Sequence, residues 1–247
     1  MSRIPLVIVT ATSSEAAAVR RALRVRAGRS LDGARCWEGD GGGAALVRGG
    51  VGPDRAAAAA RLALEAFPPA ACLVLGFAGA LRPAAAPGTL ILADRTGVPG
   101  GAERPADPRL LRAAASAAAG IPALRGLLVT TESLAGTPEA KAALAAATGA
   151  LAVDMESAVV ASVAAEAGVP FLAARVIFDG ADEPMHPVMM EVVRPDGTPR
   201  IFRAALLAAR DREVRAALHW GGRRARLAAR VLTRFCRSFL PLLGAGG

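Results

Sequence analysis

The sequence of 247 residues has few of the residues that build metal sites and disulfides. It contains two histidines and three cysteines, none spaced as in zinc sites or redox motifs, so we expect no metal and buried thiols in a reducing compartment. No stretch of about 18 residues is both apolar and free of charge, which argues against a membrane-spanning protein. The apolar run at residues 4–11 is too short for a signal peptide. We therefore expect a cytoplasmic location.

Lysine and tyrosine are almost missing as well. Lys141 is the only lysine and there is no tyrosine, whereas arginine is abundant, so an arginine by itself is weak support for phosphate recognition. The net charge of +9 is unevenly distributed: residues 200–247 hold eleven arginines against two acidic residues, and residues 1–199 are neutral overall. The whole excess of positive charge therefore belongs to the C-terminal part of the chain.

The residues that are present are those of a folded protein. Hydrophobic residues make up 53% of the chain, charged residues make up 21%, and the mean hydropathy is +0.38, which excludes disorder as the dominant state. The length fits one large α/β domain or two small ones. Because no linker or change of composition divides the chain, we predict a single domain over residues 1–247.

Apolar runs alternate along the chain with alanine-rich stretches of helical length. This alternation predicts a three-layer α/β/α fold around a central mixed, mostly parallel sheet. The first strand is predicted at residues 4–10, and the first helix from Glu15 to about Arg26 with Ser13 or Ser14 as its N-cap. The later strands are predicted at residues 44–48, 72–75, 89–93, 127–131, 152–153 and 171–178.

Three carboxylates follow predicted strands: Glu15, Glu156 and Asp179. In sheets of this kind, ligands bind at the carboxyl ends of the strands, where burial can raise the pKa of a carboxyl group and make it a general acid. Each residue taken singly also fits a plain structural role at a helix start or in a turn. Because there is no Walker loop and no complete dinucleotide fingerprint, an enzyme using nucleoside triphosphates or NAD is disfavoured.

The order of these segments resembles the nucleoside phosphorylase and nucleosidase superfamily over nearly the whole chain. Residues 152–158 (AVDMESA) are similar to the family's signature around Met-Glu, and residues 169–171 and 175–179 (VPF and RVIFD) to its V-P-F strand ending in aspartate. Residues 76–81 and 88–90 (GFAGAL and GTL) are similar to a glycine-rich element of the family. The resemblance implies cleavage of the N-glycosidic bond between a purine and ribose, without a cofactor and in a homo-oligomer.

The resemblance also implies residue roles. Asp179 would be the general acid at purine N7, and Glu15 would orient the nucleophile. Glu156 would bind the ribose hydroxyls and Met155 would pack against the sugar. Further positions implied by the resemblance are the substrate-binding residues Phe77, Ala78, Gly79, Phe178, Leu134 and Ala135, and the nucleophile or phosphate loop residues Ser13, Ser14 and Gly50.

The chain departs from the family at several of these positions. Val74 and Phe77 stand where hexameric purine phosphorylases have phosphate-binding arginine and serine, and Phe178 replaces a small hydroxyl residue. Arg48 and Arg82 are alternative phosphate ligands, although a surface role is favoured for each. Water and phosphate therefore both remain open as the nucleophile, with phosphate as a co-substrate in the second case.

Residues 224–243 predict a basic amphipathic helix, with Phe235 and Phe239 on its apolar face and Arg230 and Arg234 opposite. Two interpretations fit this pattern: a helix bound to an anionic membrane surface, or a terminal helix packed on the domain with its arginines in water. Nucleic-acid binding is disfavoured, because the segment has few stacking aromatics and no known motif.

Within the superfamily, the chain is most similar to the hopanoid-associated phosphorylases, which implies removal of adenine from adenosylhopane, a nucleoside with a lipid 5′ substituent. The apolar, methionine-rich segment at residues 185–193 would then cover the lipid, although a lid or a subunit contact fits equally well. The enzyme would be peripheral at the inner face of the membrane. The alternatives are a soluble methylthioadenosine/adenosylhomocysteine nucleosidase and a non-catalytic, membrane-associated nucleoside-binding protein.

Overall fold

Ten strands form one mixed sheet in the computed structural model, which describes residues 6–23, 25, 28–39 and 43–244. The strands are β1 (Leu6–Thr10), β2 (Arg29–Leu31), β3 (Ala34–Glu38), β4 (Ala44–Arg48), β5 (Ala71–Ala80), β6 (Leu90–Gly97), β7 (Arg104–Pro105), β8 (Ala123–Thr130), β9 (Ala152–Asp154) and β10 (Phe171–Asp179). The helices are α1 (Ser13–Arg20), α2 (Pro53–Ala66), α3 (Pro108–Ala117), α4 (Pro138–Thr148), α5 (Ser157–Glu166), α6 (Val188–Glu191), α7 (Ile201–Arg210) and α8 (Arg212–Leu242).

The strand order is β10-β6-β8-β9-β5-β1-β4-β3-β2, with β7 paired to β6. Because β10 also pairs with β5, the strands β5, β10, β6, β8 and β9 close into a ring. In the described part of the chain, five strand pairings are parallel and five are antiparallel. The α/β class with a central mixed sheet is confirmed, whereas the ring and the β2–β3 hairpin were not predicted.

Helices cover both faces of the sheet, as the three-layer prediction requires. Along β5, Leu73 and Leu75 point to the core shared with α1, α3 and α8, while Cys72 and Val74 point to the core shared with α2 and α5. This alternation follows from the two-residue period of a strand. All three cysteines are buried free thiols, which confirms the expectation from their spacing.

Helix α1 starts at Ser13, two residues before the predicted start at Glu15, and neither Ser13 nor Ser14 is its N-cap. Its N-cap is Thr12, whose side chain accepts from the Glu15 N–H while the Glu15 carboxylate accepts from the Thr12 N–H, so the two residues form a capping box. The helix ends at Arg20, and residues 21–23 form a turn and a bend, so the predicted extension to about Arg26 is wrong over these residues. Residue 26 itself and the predicted start of the first strand at residue 4 lie outside the described residues.

Helix α8 confirms the predicted C-terminal helix but begins at Arg212 rather than near residue 224. Phe235 and Phe239 are fully buried in the core shared with α1 and α3, and their rings stack at 4.9 Å between centroids. The apolar face of this helix therefore packs on the domain. Four arginines of α8 line an open groove between α8 and α1: Arg226, Arg230, Arg234 and Arg237. Arg21, which follows α1, lines the same groove. In the part of the chain that the structure describes, no helix is long and apolar enough to cross a bilayer.

The packing of α8 predicts unequal effects of two truncations on the same helix. Phe239→Ala should lower the free energy of unfolding by about 3–5 kcal/mol, because it opens a cavity in a closed core. Leu242→Ala should change it by less than about 0.5 kcal/mol, because that side chain is 57% exposed. Urea denaturation of both variants measures the difference, and equal losses would show that α8 is not packed as described.

Candidate active site

The three carboxylates predicted at the sheet edge line one cavity of about 420 Å³. Glu15 lies in the first turn of α1, the helix that follows β1 in the chain. Glu156 lies in the turn between β9 and α5, and Asp179 is the last residue of β10. All three are almost completely buried. The edge of the sheet thus brings together groups that are up to 164 positions apart in the sequence.

The buried guanidinium of Arg175 organises this end of the cavity. Its side chain has no exposed surface, and Nη2 lies 2.7 Å from Asp154 Oδ2 and 3.1 Å from Glu156 Oε2. Nη1 lies 3.5 Å from Glu15 Oε1. One cation therefore faces three carboxylates, so the cluster has an excess of negative charge when all three are ionised.

Gly76 in β5 makes room for this cluster. A Cβ atom at this position would lie 2.3 Å from Arg175 Nη1 and 2.3 Å from Glu15 Oε1, which is closer than real Cβ contacts allow. The glycine-rich segment singled out in the sequence thus has a steric role here.

Asp154 holds the guanidinium of Arg175 and also lines the cavity. It accepts hydrogen bonds from Thr130 Oγ1 at 2.6 Å and from the backbone N–H groups of Glu156 and Ser157 at 3.2 Å. Because those N–H groups are at the start of α5, the same carboxylate satisfies the helix end and holds Arg175.

The Glu15 carboxylate is fully engaged. Oε2 accepts from the Ala11 and Thr12 N–H groups at 2.9 and 2.7 Å, and Oε1 accepts from the Phe77 N–H at 2.7 Å and from Arg175 at 3.5 Å. A carboxylate has about four lone-pair sites, so all of them are occupied. The contact with Arg175 is the longest and hence the easiest to exchange.

Glu156 has more capacity left. Oε1 accepts from the Gly52 N–H at 3.1 Å and Oε2 accepts from Arg175. Burial raises the pKa of Glu156 to about 7, with Arg175 opposing the shift and the carboxylates of Asp154 and Glu15 adding to it. Near neutral pH the carboxyl group can therefore change its protonation state.

Asp179 has a partner that the sequence did not reveal. Lys141 in α4 is fully buried and pairs with Asp179 Oδ2. Burial raises the pKa of Asp179, the Lys141 ammonium lowers it and the Glu183 carboxylate raises it further. Gly79 lies close by, since a Cβ atom there would be 3.3 Å from Asp179 Oδ2.

The rest of the cavity wall is mostly apolar. Phe77 and Phe178 stack with ring centroids 6.3 Å apart, and Trp220 meets Phe178 edge-on at 5.6 Å. Met155, Ala78 and Leu134, which the resemblance implies as substrate-binding residues, line this wall. Five residues of the methionine-rich segment line it as well: Met185, Met189, Met190, Val192 and Val193.

Three predicted site residues lie elsewhere. Ala135 packs on the core around Val153 instead of lining the cavity. The Ser13 hydroxyl accepts from Arg48 at 2.7 Å and lines the groove beside α8, whereas Ser14 lines both the groove and the cavity. Gly50 lies against residues 195 and 196, and a Cβ atom on Gly50 would lie 2.4 Å from the Pro195 carbonyl oxygen.

The two arginines considered as phosphate ligands do not line the cavity. Arg82 donates to the Ala145 carbonyl oxygen on α4 at 2.9 Å. Arg48, besides Ser13, lies 3.9 Å from the Asp196 carboxylate.

Sequence reasoning assigned no role to Arg175, Asp154 or Lys141. A charge inside the apolar run at residues 171–178 was the available signal for Arg175. For Lys141, the signal was a single lysine in a chain that otherwise uses arginine.

The Arg175 cluster predicts a pH-dependent loss of stability. Arg175→Met should lower the free energy of unfolding by about 3–5 kcal/mol, because buried carboxylates lose their cation. Without the cation the pKa of Glu156 rises further above its unfolded value, so the loss should be larger at pH 8 than at pH 5. Urea denaturation at both pH values tests this. The control Arg95→Met, at a half-exposed strand arginine paired with Asp94 and Glu103, should cost less than about 1 kcal/mol at either pH.

Solved structures share this fold over nearly their whole length. The 5′-methylthioadenosine/S-adenosylhomocysteine nucleosidase of Neisseria meningitidis, in complex with methylthio-immucillin-A, has a TM-score of 0.73 and 20% identity, over 95% of this chain and 99% of that chain. Futalosine hydrolase of Helicobacter pylori has a TM-score of 0.78 and 18% identity, over 97% and 98%. An aspartate-to-asparagine mutant of the Helicobacter pylori nucleosidase, with 5′-methylthioadenosine in the active site, has a TM-score of 0.76 and 18% identity, over 98% and 100%.

At these identities the solved structures show the fold, and the family follows from the sequence. The family model of the phosphorylase superfamily matches residues 5–206, which is most of the chain. This match confirms the resemblance drawn from the sequence motifs. The chain belongs to the phosphorylase superfamily.

Proposed function

We propose that the protein cleaves the N-glycosidic bond of a purine nucleoside and that its substrate is adenosylhopane, from which it releases adenine. The observation that carries the proposal is that Asp179, a buried carboxyl group with a raised pKa, shares one cavity with Glu156 and with an apolar wall. A proton donor, an acceptor for sugar hydroxyls and an apolar surface are the groups that this reaction needs.

In the proposed mechanism, Asp179 donates its proton to purine N7 while the bond between C1′ and N9 breaks and its electron pair moves to the base. Glu156 accepts hydrogen bonds from the ribose hydroxyls, and these strengthen as the sugar becomes cationic. Met155 packs against the sugar. The ring of Phe178 beside Phe77 offers a flat surface on which the purine stacks.

We favour water as the nucleophile. Among the described residues that line the cavity, four are carboxylates and none is basic: Glu15, Asp154, Glu156 and Asp179. A phosphate dianion would be repelled there, whereas water is neutral. Water would bind at Glu15 by exchanging the 3.5 Å contact with Arg175. Its oxygen would form the new bond to C1′ as the bond to N9 breaks, and the proton that it loses would pass to the Glu15 carboxylate.

The methionine-rich segment that lines the cavity supports a large apolar 5′ substituent. Met189 packs against Gly221 in α8, where a Cβ atom would lie 2.3 Å from the Met189 Cε. Methionine side chains are flexible and adapt to irregular apolar shapes. The three methionines and two valines of this segment that line the cavity would therefore enclose part of a polycyclic lipid.

Helix α7 supports a position at the membrane. It begins two residues after Pro199, which lines the cavity, and none of its residues is buried. Ile201 and Phe202 are 69% and 93% exposed, and Leu206 is 50% exposed. The same helix carries Arg203.

An exposed apolar patch near basic residues fits the boundary between the acyl chains and the headgroups of an anionic bilayer. The arginines of α8 remain outside the core and would attract the same surface. The membrane contact proposed for residues 224–243 would thus be electrostatic, and the apolar contact would come from α7.

Adenine release from adenosylhopane in detergent, with and without phosphate, tests the proposal. We expect release without phosphate, and slower release from methylthioadenosine. Asp179→Asn should reduce the rate by about 10²–10⁴-fold, the usual contribution of a general acid.

Other outcomes of this assay separate the alternatives. Equal rates for methylthioadenosine would favour the soluble nucleosidase, and strict phosphate dependence would favour a phosphorylase. Binding of adenosylhopane without release would favour the non-catalytic nucleoside-binding protein. An unchanged rate in Asp179→Asn would contradict the role of this residue.

Sedimentation with vesicles tests the membrane contact. Binding to anionic vesicles should fall about tenfold or more in Phe202→Ser, because a phenyl ring no longer enters the bilayer. The control Val98→Ser, at another exposed apolar residue, should leave binding unchanged. Neutralising Arg230, Arg234 and Arg237 should cost about 1 kcal/mol for each arginine and remove most of the salt dependence. No binding of the unaltered protein, together with a dimer that Phe202→Ser dissociates, would assign α7 to a homo-oligomer interface instead.

A further inference from the structure

Lys141 is in a position that helices normally give to apolar residues. It is one of the two buried residues of α4, four positions before the other, Ala145. The side chain has no exposed surface although it is the only lysine in the chain. Burying an ammonium group is costly unless it is paired and fully hydrogen-bonded.

All three protons of this ammonium group are used. Nζ donates to Asp179 Oδ2, to the Gly180 carbonyl oxygen at 2.7 Å and to the Glu183 carbonyl oxygen at 2.8 Å. Lys141 therefore has no proton left for a substrate and does not line the cavity. Its effect on the reaction must act through Asp179.

We propose that Lys141 is a positioning residue that holds the Asp179 carboxyl group in place and stabilises the negative charge that develops on it as the proton passes to the purine. The proposal rests on the role proposed above for Asp179. The proton leaves the carboxyl group for N7, the electron pair of the O–H bond stays on the carboxylate, and Lys141 keeps its three protons throughout. A cation in contact with the developing charge stabilises the transition state more than the ground state.

The charged groups around Asp179 are few in the described part of the chain. Lys141 approaches from α4, and Glu183 lies in the segment after β10. Glu183 is itself paired with Arg224 of α8 and accepts from the Gly180 N–H at 2.8 Å. Because Arg224 offsets the charge of Glu183, Lys141 is the cation whose removal should alter Asp179 most.

The test compares the pH dependence of kcat/KM for two variants of Lys141 and for one control variant. Lys141→Gln keeps a donor and removes the charge, and Lys141→Arg keeps the charge. In Lys141→Gln we expect a loss of about 10²-fold, by analogy with the removal of one donor to a developing oxyanion. The alkaline limb of the profile, where Asp179 loses its proton, should also move to higher pH, because the pKa of Asp179 rises without the cation. In Lys141→Arg that limb should return towards its original pH.

The matched control is Arg82→Gln, which removes another cation that binds α4, at the Ala145 carbonyl oxygen, without contact to Asp179. It should move neither limb. A rate of Lys141→Gln within twofold of this control, or a loss of rate without movement of a limb, would reduce Lys141 to a structural role and overturn the proposal. If Lys141→Gln does not fold, Lys141→Arg tests the proposal by itself. An alkaline limb at clearly higher pH in Lys141→Arg, although the positive charge is kept, would contradict the role proposed for Lys141.

The outcome can be separated from failure of the proposed function. If the unaltered protein releases adenine from none of the nucleosides, the proposed function fails. Calorimetric titration with adenine between pH 5 and pH 9 then still tests Lys141, because adenine binding through a protonated Asp179 should extend to higher pH in Lys141→Gln. An unchanged pH dependence of adenine binding would overturn the role of Lys141 alone.

Discussion

The candidate site depends on one buried guanidinium that faces three carboxylates. Isolated, any of these four charges would be costly to bury, since desolvation of a single ion amounts to several kcal/mol even after relaxation. Arg175 offsets this cost because its planar group offers five N–H donors in a fixed geometry, against the three of a lysine. Its partners come from α1, from β9 and from the turn before α5, so the same contacts join elements from both faces of the sheet.

Much of the fold could be predicted because its signals are local. Strands and helices follow from apolar runs and alanine-rich stretches, and residues after strands meet at one edge of a parallel arrangement. The closure of the sheet has no such local signal. β10 joins β5 in parallel and β6 in antiparallel orientation, and these partners precede it by about 80 to 100 positions, so nothing in the run at residues 171–178 reveals them. The amphipathic pattern of α8 likewise fitted a membrane surface and a core equally well until its packing was known.

The same distinction applies to the site. Glu15, Glu156 and Asp179 could be found because each follows a strand, whereas the partners that set their properties are distant in sequence. Arg175 is 160 positions from Glu15, and Lys141 is 38 positions from Asp179. A charged residue within an apolar strand or a short helix gives no local indication of its partner. Closeness in sequence to a site residue does not place a residue at the site either. Ala135 and Gly50 are next to cavity-lining residues in the sequence, but they contact other parts of the chain.

The burial of Lys141 has a consequence for the protein surface. Because this residue is the only lysine, the folded chain offers no side-chain amine to solvent. Acetylation or ubiquitin transfer at lysine would have no accessible target, and an amine-directed cross-linker would find no lysine. The cations on the α8 face are arginines, whose guanidinium groups are not the targets of amine acylation. The positive charge of this face is therefore not erased by acylation, whereas salt or an anionic partner can offset it.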